Sequence, residues 1–177
     1  KAFTAVSRAK LIRNQLEDFE IIYSTEYKHY SRKTVHFGSR FAIKGDYLFF
    51  SIGDRGERDE AQDLDKPNGK IHRLHLDGRV PSDNPYKSKN GDASTIWCYG
   101  NRNPQGLAFS KEGVLWESEH GPRGGDELNI IERGLNYGWP QITYGINYIG
   151  TKISDYTHLD GMEQPIWHWT PSIAVCG

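Results

Sequence analysis

The chain has 177 residues, with 22 basic and 23 acidic side chains, and a net charge of −1. This balance argues against nucleic acid or an anionic membrane surface as a partner held by bulk charge. No apolar run approaches the roughly 20 residues that cross a bilayer, whereas 12% aromatic residues and 19 glycines suit short strands joined by tight turns. Cys98 and Cys176 lack metal-ligand or redox spacing, so we predict two buried free thiols.

Alternating apolar residues predict strands along the whole chain. The first two, at residues 2–11 and 19–25, are separated by a polar connection at residues 14–18. Eight further strands are predicted in two groups of four, at residues 39–43, 47–52, 70–76 and 95–99, and at residues 106–109, 114–118, 127–131 and 165–169. No segment keeps helical periodicity over the ten or more residues that a stable helix usually needs.

An internal repeat relates the predicted units. Ala42, Ala108 and Ala174 each lie between two large apolar residues, and they are spaced 66 residues apart both times. The third copy predicts a strand at residues 173–175. A fixed period indicates a solenoid or propeller, and four short antiparallel strands per unit are typical of a propeller blade. We therefore predict an all-β, partial β-propeller domain over residues 1–177: the end of one blade, two full blades and the start of the next.

The first predicted hairpin brings an imidazole and a carboxylate together. If its turn is centred on Gly45, His36 stands opposite Asp54 at the open end of the hairpin. A carboxylate fixes the tautomer of a histidine and stabilises the imidazolium that forms, so this pair has the composition of a general base. The alternative is that the two residues only close the hairpin.

The second hairpin places polar residues on the same rim. A turn between Lys111 and Glu112 puts Arg102 opposite Gly121 and Asn103 opposite His120. Equivalent rim positions in two blades suggest a shared pocket, although Arg102 is equally consistent with a salt bridge or a clamp on backbone carbonyls. The glycine-rich loop at residues 119–127 presents carbonyls that a hard cation such as calcium prefers; the alternative is a plain surface turn.

A set of short motifs runs in order through most of the chain. Its clearest members are His36-Phe37-Gly38-Ser39-Arg40, Ser51-Ile52-Gly53-Asp54, Pro81-Ser82-Asp83-Asn84-Pro85, Arg102-Asn103-Pro104-Gln105-Gly106-Leu107, Glu119-His120-Gly121-Pro122 and Asn136-Tyr137-Gly138-Trp139-Pro140. Each motif alone is weak, but the ordered set is specific. It resembles the soluble quinoprotein glucose/sorbosone dehydrogenase family, most closely its aldose sugar dehydrogenase branch.

The resemblance implies a six-bladed propeller, of which about three blades are represented here, and pyrroloquinoline quinone (PQQ) as the cofactor, bound with calcium. It implies that His36 is the general base acting on the anomeric hydroxyl of a small sugar substrate, and that Asp54 orients it. Arg102 would lie beside the quinone and the substrate, and Asn103 would contact the cofactor. The quinone carries the redox chemistry, so the protein supplies positioning and electrostatics.

Further expectations follow from the same resemblance. The backbone carbonyls of Gly121 and Pro122 would ligate the calcium ion. Val35 stands where the glucose dehydrogenase branch has an acid, so we do not expect tight selectivity for glucose. The resemblance implies a periplasmic or secreted protein. The chain starts at Lys1 without a visible signal peptide, and we expect it to belong to a longer protein whose remaining blades supply basic residues to the cofactor.

The sequence leaves the sugar, the electron acceptor and the oligomeric state open. A second functional class also stays open, namely a non-catalytic propeller that binds a protein or glycan partner. A calcium-dependent propeller hydrolase would need several carboxylates converging on the propeller axis, and the sequence shows no such ring.

Overall fold

The computed structural model describes all 177 residues and contains strands, turns and short 3-10 helices, with no α-helix. The strands are β1 (Ala5–Ile12), β2 (Gln15–Ser24), β3 (Phe41–Lys44), β4 (Tyr47–Ile52), β5 (Lys70–His75), β6 (Ile96–Tyr99), β7 (Pro104–Phe109), β8 (Leu115–Glu119), β9 (Asp126–Ile130) and β10 (Trp167–Trp169). The 3-10 helices are Tyr27–His29, Arg58–Ala61 and Gly91–Thr95. None of the helices has the length and hydrophobicity to span a bilayer.

The strands form three antiparallel sheets, each ordered as in the chain. β1 and β2 make a hairpin, while β3 to β6 and β7 to β10 make two four-stranded sheets. A four-stranded meander of this kind is one blade of a β-propeller. The fold class is therefore the predicted one, an all-β propeller with four-stranded antiparallel blades; we call the sheet of β3 to β6 blade A and the sheet of β7 to β10 blade B.

Blade A lies between the other two sheets. Successive side chains of a strand point to opposite faces, so Phe50 on β4 packs with Tyr23 of the β1–β2 hairpin, whereas Phe49 packs with Leu115 of blade B. All four side chains are buried. The alternation of β4 thus divides the core into two clusters, one on each face of blade A.

The N-terminal hairpin corrects one prediction. The polar connection expected at residues 14–18 is mostly strand, because β2 begins at Gln15. The turn consists of Arg13 and Asn14, which have φ angles of 46° and 66°. Positive φ at both central residues is the requirement of the tight hairpin turn that matches strand twist. The polar residues after the turn are exposed on the hairpin and give no alternation to detect.

The C-terminal residues correct a second prediction, the strand expected at residues 173–175. Residues 173–175 form no strand, and Ala174 has a left-handed φ of 56°. The N–H groups of Ile173 and Ala174 donate to the carboxylate of Asp126 at 3.0 and 2.7 Å rather than to a sheet. Both cysteines are free, but only Cys98 is buried; Cys176 lies in this segment and is exposed, so its predicted burial was wrong.

Candidate active site

His36 and Asp54 are in contact at one end of blade A. The His36 Nδ1 lies 2.6 Å from Asp54 Oδ1. The predicted register of the hairpin is nevertheless wrong by one residue, since Lys44 pairs with Tyr47 and the turn has two residues instead of a centre on Gly45. The contact survives because residues 36–40 lie outside strand β3, and His36 itself is left-handed, with φ 48°. Left-handed backbone at a non-glycine residue is uncommon and concentrates at functional sites.

Asp54 is fully buried and accepts three hydrogen bonds. Besides His36, it accepts the Gly56 N–H at 2.7 Å and the Trp139 indole N–H at 2.8 Å. Burial raises the pKa of Asp54, but the hydrogen bond from His36 and these two donors outweigh it and hold that pKa below its ordinary value. An ionised Asp54 keeps a proton on Nδ1 of His36 and leaves Nε2 as the proton acceptor.

Glycine at position 53 permits this arrangement. A Cβ atom there would lie 2.2 Å from the carbonyl oxygen of His36, which no side chain tolerates. Two further bonds join this region to blade B: the Gly38 N–H donates to Asn103 Oδ1 at 3.2 Å, and the Asp54 N–H donates to the Arg102 carbonyl at 2.8 Å. These bonds hold the segment that precedes β3 and the segment that precedes β7 in fixed positions relative to each other.

The predicted register of the second hairpin holds only at its rim end; along the ladder it is wrong by one residue, since Phe109 pairs with Leu115. The His120 N–H donates to the Asn103 carbonyl at 3.1 Å, and Nη1 of Arg102 reaches the Gly121 carbonyl at 2.5 Å. A β-bulge near the start of β7 restores this pairing, because the regular ladder further along is offset by one residue. Arg102 Nη1 also donates to the His120 carbonyl at 2.6 Å. The guanidinium is therefore a clamp on backbone carbonyls, the alternative that its position had left open.

Sequence reasoning missed two residues that hold this region together. Glu119 is 3% exposed, and its Oε2 accepts the N–H groups of Arg102 at 2.6 Å and Asn103 at 3.1 Å. Burial raises the pKa of Glu119 to about 7 although the two donors oppose that shift. Trp139 binds Asp54, and its ring lies 5.4 Å from the Arg102 guanidinium carbon. Both belong to motifs of the ordered set, which was the signal available for finding them.

A cavity of about 420 Å³, within the range of small-molecule sites, lies at the His36 end of the two blades. His36, Arg102, Asn103, His120, Gly121 and Pro122 line it, together with Arg123 and Asp126. Two buried nitrogen atoms at the cavity have no hydrogen-bond partner, namely Arg102 Nε and His120 Nε2. Buried polar atoms in folded proteins are almost always paired, so the two nitrogens indicate a polar ligand: Arg102 Nε donates a hydrogen bond, and His120 Nε2 donates or accepts one according to its tautomer.

A family model described as glucose/sorbosone dehydrogenase matches residues 1–177. The chain belongs to this family. It is 44% identical over 183 aligned residues to aldose sugar dehydrogenase YliI of Escherichia coli strain K12, an alignment that covers 100% of this chain and 49% of that protein. The chain spans about half the length of the curated relatives it matches.

Solved structures of glucose/sorbosone dehydrogenase relatives have the same architecture. The soluble aldose sugar dehydrogenase of Escherichia coli in its apo form superimposes with a TM-score of 0.90 at 42% identity, covering 98% of this chain and 51% of that one. The PQQ-bound aldose sugar dehydrogenase of Streptomyces coelicolor superimposes with a TM-score of 0.68 at 30% identity, covering 88% and 41%. One of these relatives thus binds PQQ.

The cavity residues of this dehydrogenase-family chain fit such a cofactor. PQQ is a flat molecule with three carboxylates, and the cavity presents two guanidinium groups, Arg102 and Arg123, as well as the unpaired Arg102 Nε and His120 Nε2. The one carboxylate among them, Asp126, is occupied by backbone N–H groups, including that of Gly121 at 2.9 Å. Guanidinium groups bind carboxylates by charge-assisted hydrogen bonds.

The same residues do not fit a calcium ion in this arrangement. The Gly121 carbonyl accepts a hydrogen bond from the Arg102 cation, and the Pro122 carbonyl accepts one from the Ser172 hydroxyl at 3.1 Å. Calcium takes six to eight oxygen ligands, and no group of three or more histidine, cysteine or acidic side chains could hold a metal ion. The assignment of Gly121 and Pro122 to calcium stays a prediction from the family resemblance.

Proposed function

We propose that this chain forms the His36-containing part of a PQQ-dependent sugar dehydrogenase, which oxidises the anomeric carbon of aldoses to give lactones. The observation that carries the proposal is the 2.6 Å contact of His36 with a fully buried carboxylate, at a cavity lined by Arg102 and His120, each of which has one buried nitrogen without a hydrogen-bond partner. Membership of the glucose/sorbosone dehydrogenase family supports the substrate class. We propose export to the periplasm or secretion on the same family grounds.

His36 is the general base in this proposal. Asp54 holds a proton at Nδ1, so Nε2 takes the proton of the anomeric hydroxyl as the C1–H bond breaks. The chemistry that bound PQQ would supply at this site is acceptance of the hydride from that carbon. Arg102 offers its unpaired Nε to the oxygen that gains charge, and Asn103 lies at the same cavity wall. Val35, an apolar residue beside the base, is consistent with broad aldose specificity.

The proposal is tested on the full-length protein reconstituted with PQQ and calcium, by following the bleaching of a redox dye when aldoses are added. The change is His36→Asn, because asparagine tolerates a left-handed backbone better than alanine does. We expect kcat to fall about 10²- to 10⁴-fold, the usual contribution of a positioned general base, with PQQ affinity retained.

The control is His75→Asn on β5, which is not among the residues lining the cavity and should leave turnover unchanged. If wild-type protein binds aldoses but reduces no dye with any of them, the chain is instead part of a non-catalytic propeller. Omitting calcium from the reconstitution tests the Gly121 and Pro122 assignment separately.

A further inference from the structure

A second cavity of about 380 Å³ lies between blades A and B, at the hairpin-turn ends of their strands. The turns at Gly45 and Gly113 mark this edge, whereas His36 and Arg102 lie at the opposite ends of β3 and β7. The proposed dehydrogenase chemistry uses none of the residues that line this second cavity. We call it the interblade cavity.

Aromatic rings form most of its wall. Phe49 is central: its ring packs edge-on against Trp97 and Phe109, with centroid distances of 5.3 Å in both cases. Tyr47 completes the aromatic lining. Rings that meet at mutual angles of 75° and 89° pack edge to face, an arrangement that a further aromatic ring can extend. The walls therefore favour an aromatic occupant.

The nitrogen groups at the cavity are all hydrogen-bond donors. Lys44 places its ammonium 5.2 Å from the centroid of the Phe109 ring, donates one hydrogen bond to the Gly113 carbonyl at 2.8 Å and forms no ion pair with a carboxylate. Trp97 has a buried indole N–H without a partner. Arg73 lies over the rings of Tyr47 and Trp97 and is already paired with Asp83, which does not line the cavity. No carboxylate or amide side chain lines the cavity, so an anion or strong acceptor complements it.

We propose that the interblade cavity is a binding site for a small aromatic carboxylate. The ring of the ligand packs among Phe49, Trp97 and Phe109, and its carboxylate pairs with the Lys44 ammonium and accepts the Trp97 indole N–H. Binding is non-covalent and independent of the His36 site. It therefore also holds if the proposed dehydrogenase function fails.

The probe is 2-naphthoate, titrated calorimetrically into full-length protein, once without PQQ and once with an excess of PQQ that competes for the His36 cavity. A charge-assisted hydrogen bond contributes about 1.5–3 kcal/mol, which corresponds to roughly a 10- to 150-fold change in Kd. We expect naphthoate to bind at least about tenfold more tightly than the neutral naphthalene-2-methanol. Lys44→Met and Trp97→Phe should each abolish most of this preference.

Matched controls are Lys111→Met, an exposed lysine in the turn of blade B, and Trp167→Phe on β10, whose tryptophan is 60% exposed. Neither should change the Kd of naphthoate. Equal affinity for the charged and neutral probes, full naphthoate binding in Lys44→Met, or no binding at millimolar concentration would each overturn the proposal. Lys44 is exposed, so its variant reports on the site even if Trp97→Phe folds poorly.

Discussion

Glu119 holds the backbone of the candidate active site, because one of its carboxylate oxygens accepts the N–H groups of two consecutive residues, Arg102 and Asn103. Glu119→Leu leaves both buried donors unpaired, and each costs about 1–3 kcal/mol. Glu119→Gln keeps an oxygen acceptor and should preserve the position of Arg102 and Asn103. We therefore expect the leucine variant to bind PQQ at least about tenfold more weakly, with the glutamine variant close to wild type.

Fluorescence titration with PQQ and urea unfolding, run on both variants, separate positioning from general stability. If the glutamine variant loses PQQ affinity as strongly as the leucine variant, the charge of Glu119 matters and the acceptor does not. If both variants lose stability but keep affinity, Glu119 does not position Arg102 and Asn103.

The residues that sequence reasoning found are those whose neighbours are close in the chain. His36 and Asp54 are 18 residues apart, and a hairpin brings them together even though the predicted register was wrong. The bond between Trp139 and Asp54 spans 85 residues and depends on how two blades pack, which no local pattern reveals. For Arg102 the sequence offered a salt bridge or a clamp on backbone carbonyls and could not decide between them, because a guanidinium suits either partner.

Strands β8 and β9 carry an unusual concentration of buried acids. Glu119 pairs with Glu127 across the ladder, and Glu117 pairs with Asn129, whose amide donates to Glu117 at 3.0 Å. Burial, followed by the charge of Glu119, raises the pKa of Glu117 well above its ordinary value. The folded protein therefore holds a proton on Glu117 that the unfolded chain loses near pH 4.3.

This proton makes stability depend on pH. Above about pH 5, and until the pH reaches the raised pKa of Glu117, the folded state binds more protons than the unfolded state, so the free energy of unfolding falls as pH rises, by about 1.4 kcal/mol per pH unit for one such group. Glu117→Gln is neutral at every pH and should remove that share of the slope. Urea unfolding at pH 5, 6, 7 and 8 measures it, with Glu132→Gln, at an exposed position, as the control. An unchanged slope in Glu117→Gln would show that the carboxyl ionises normally.

At the level of elements, the sequence predicts best where one face is buried. β4 occupies the predicted residues 47–52, because its alternating residues pack into two different clusters. The start of β2 was missed because most of that strand is exposed, and residues 173–175 repeat an apolar pattern without forming a strand. In the third copy of the pattern, the backbone N–H of Ala174 donates to the carboxylate of Asp126 instead of to a neighbouring strand. An apolar sequence pattern therefore indicates that sheets are present, but it does not show which apolar segments become strands of those sheets.

For the whole molecule, the question is whether the N-terminal hairpin and the two blades unfold as one unit. Blade A links them, with Phe50 buried towards β1–β2 and Phe49 buried towards blade B. Truncating a buried phenylalanine to alanine costs about 3–5 kcal/mol. Since β4 carries both side chains, the loss of either one weakens the same strand.

We therefore expect Phe49→Ala and Phe50→Ala each to lower the midpoint of one shared unfolding transition by a similar amount. Phe41→Ala, at a residue 55% exposed on β3, should change it little. Amide hydrogen exchange in the full-length protein identifies the strands affected: in Phe50→Ala, protection should fall in β1, β2 and blade A together. Selective loss in β1 and β2, with wild-type protection in both blades, would contradict this and would make the hairpin an independent unit docked on the propeller.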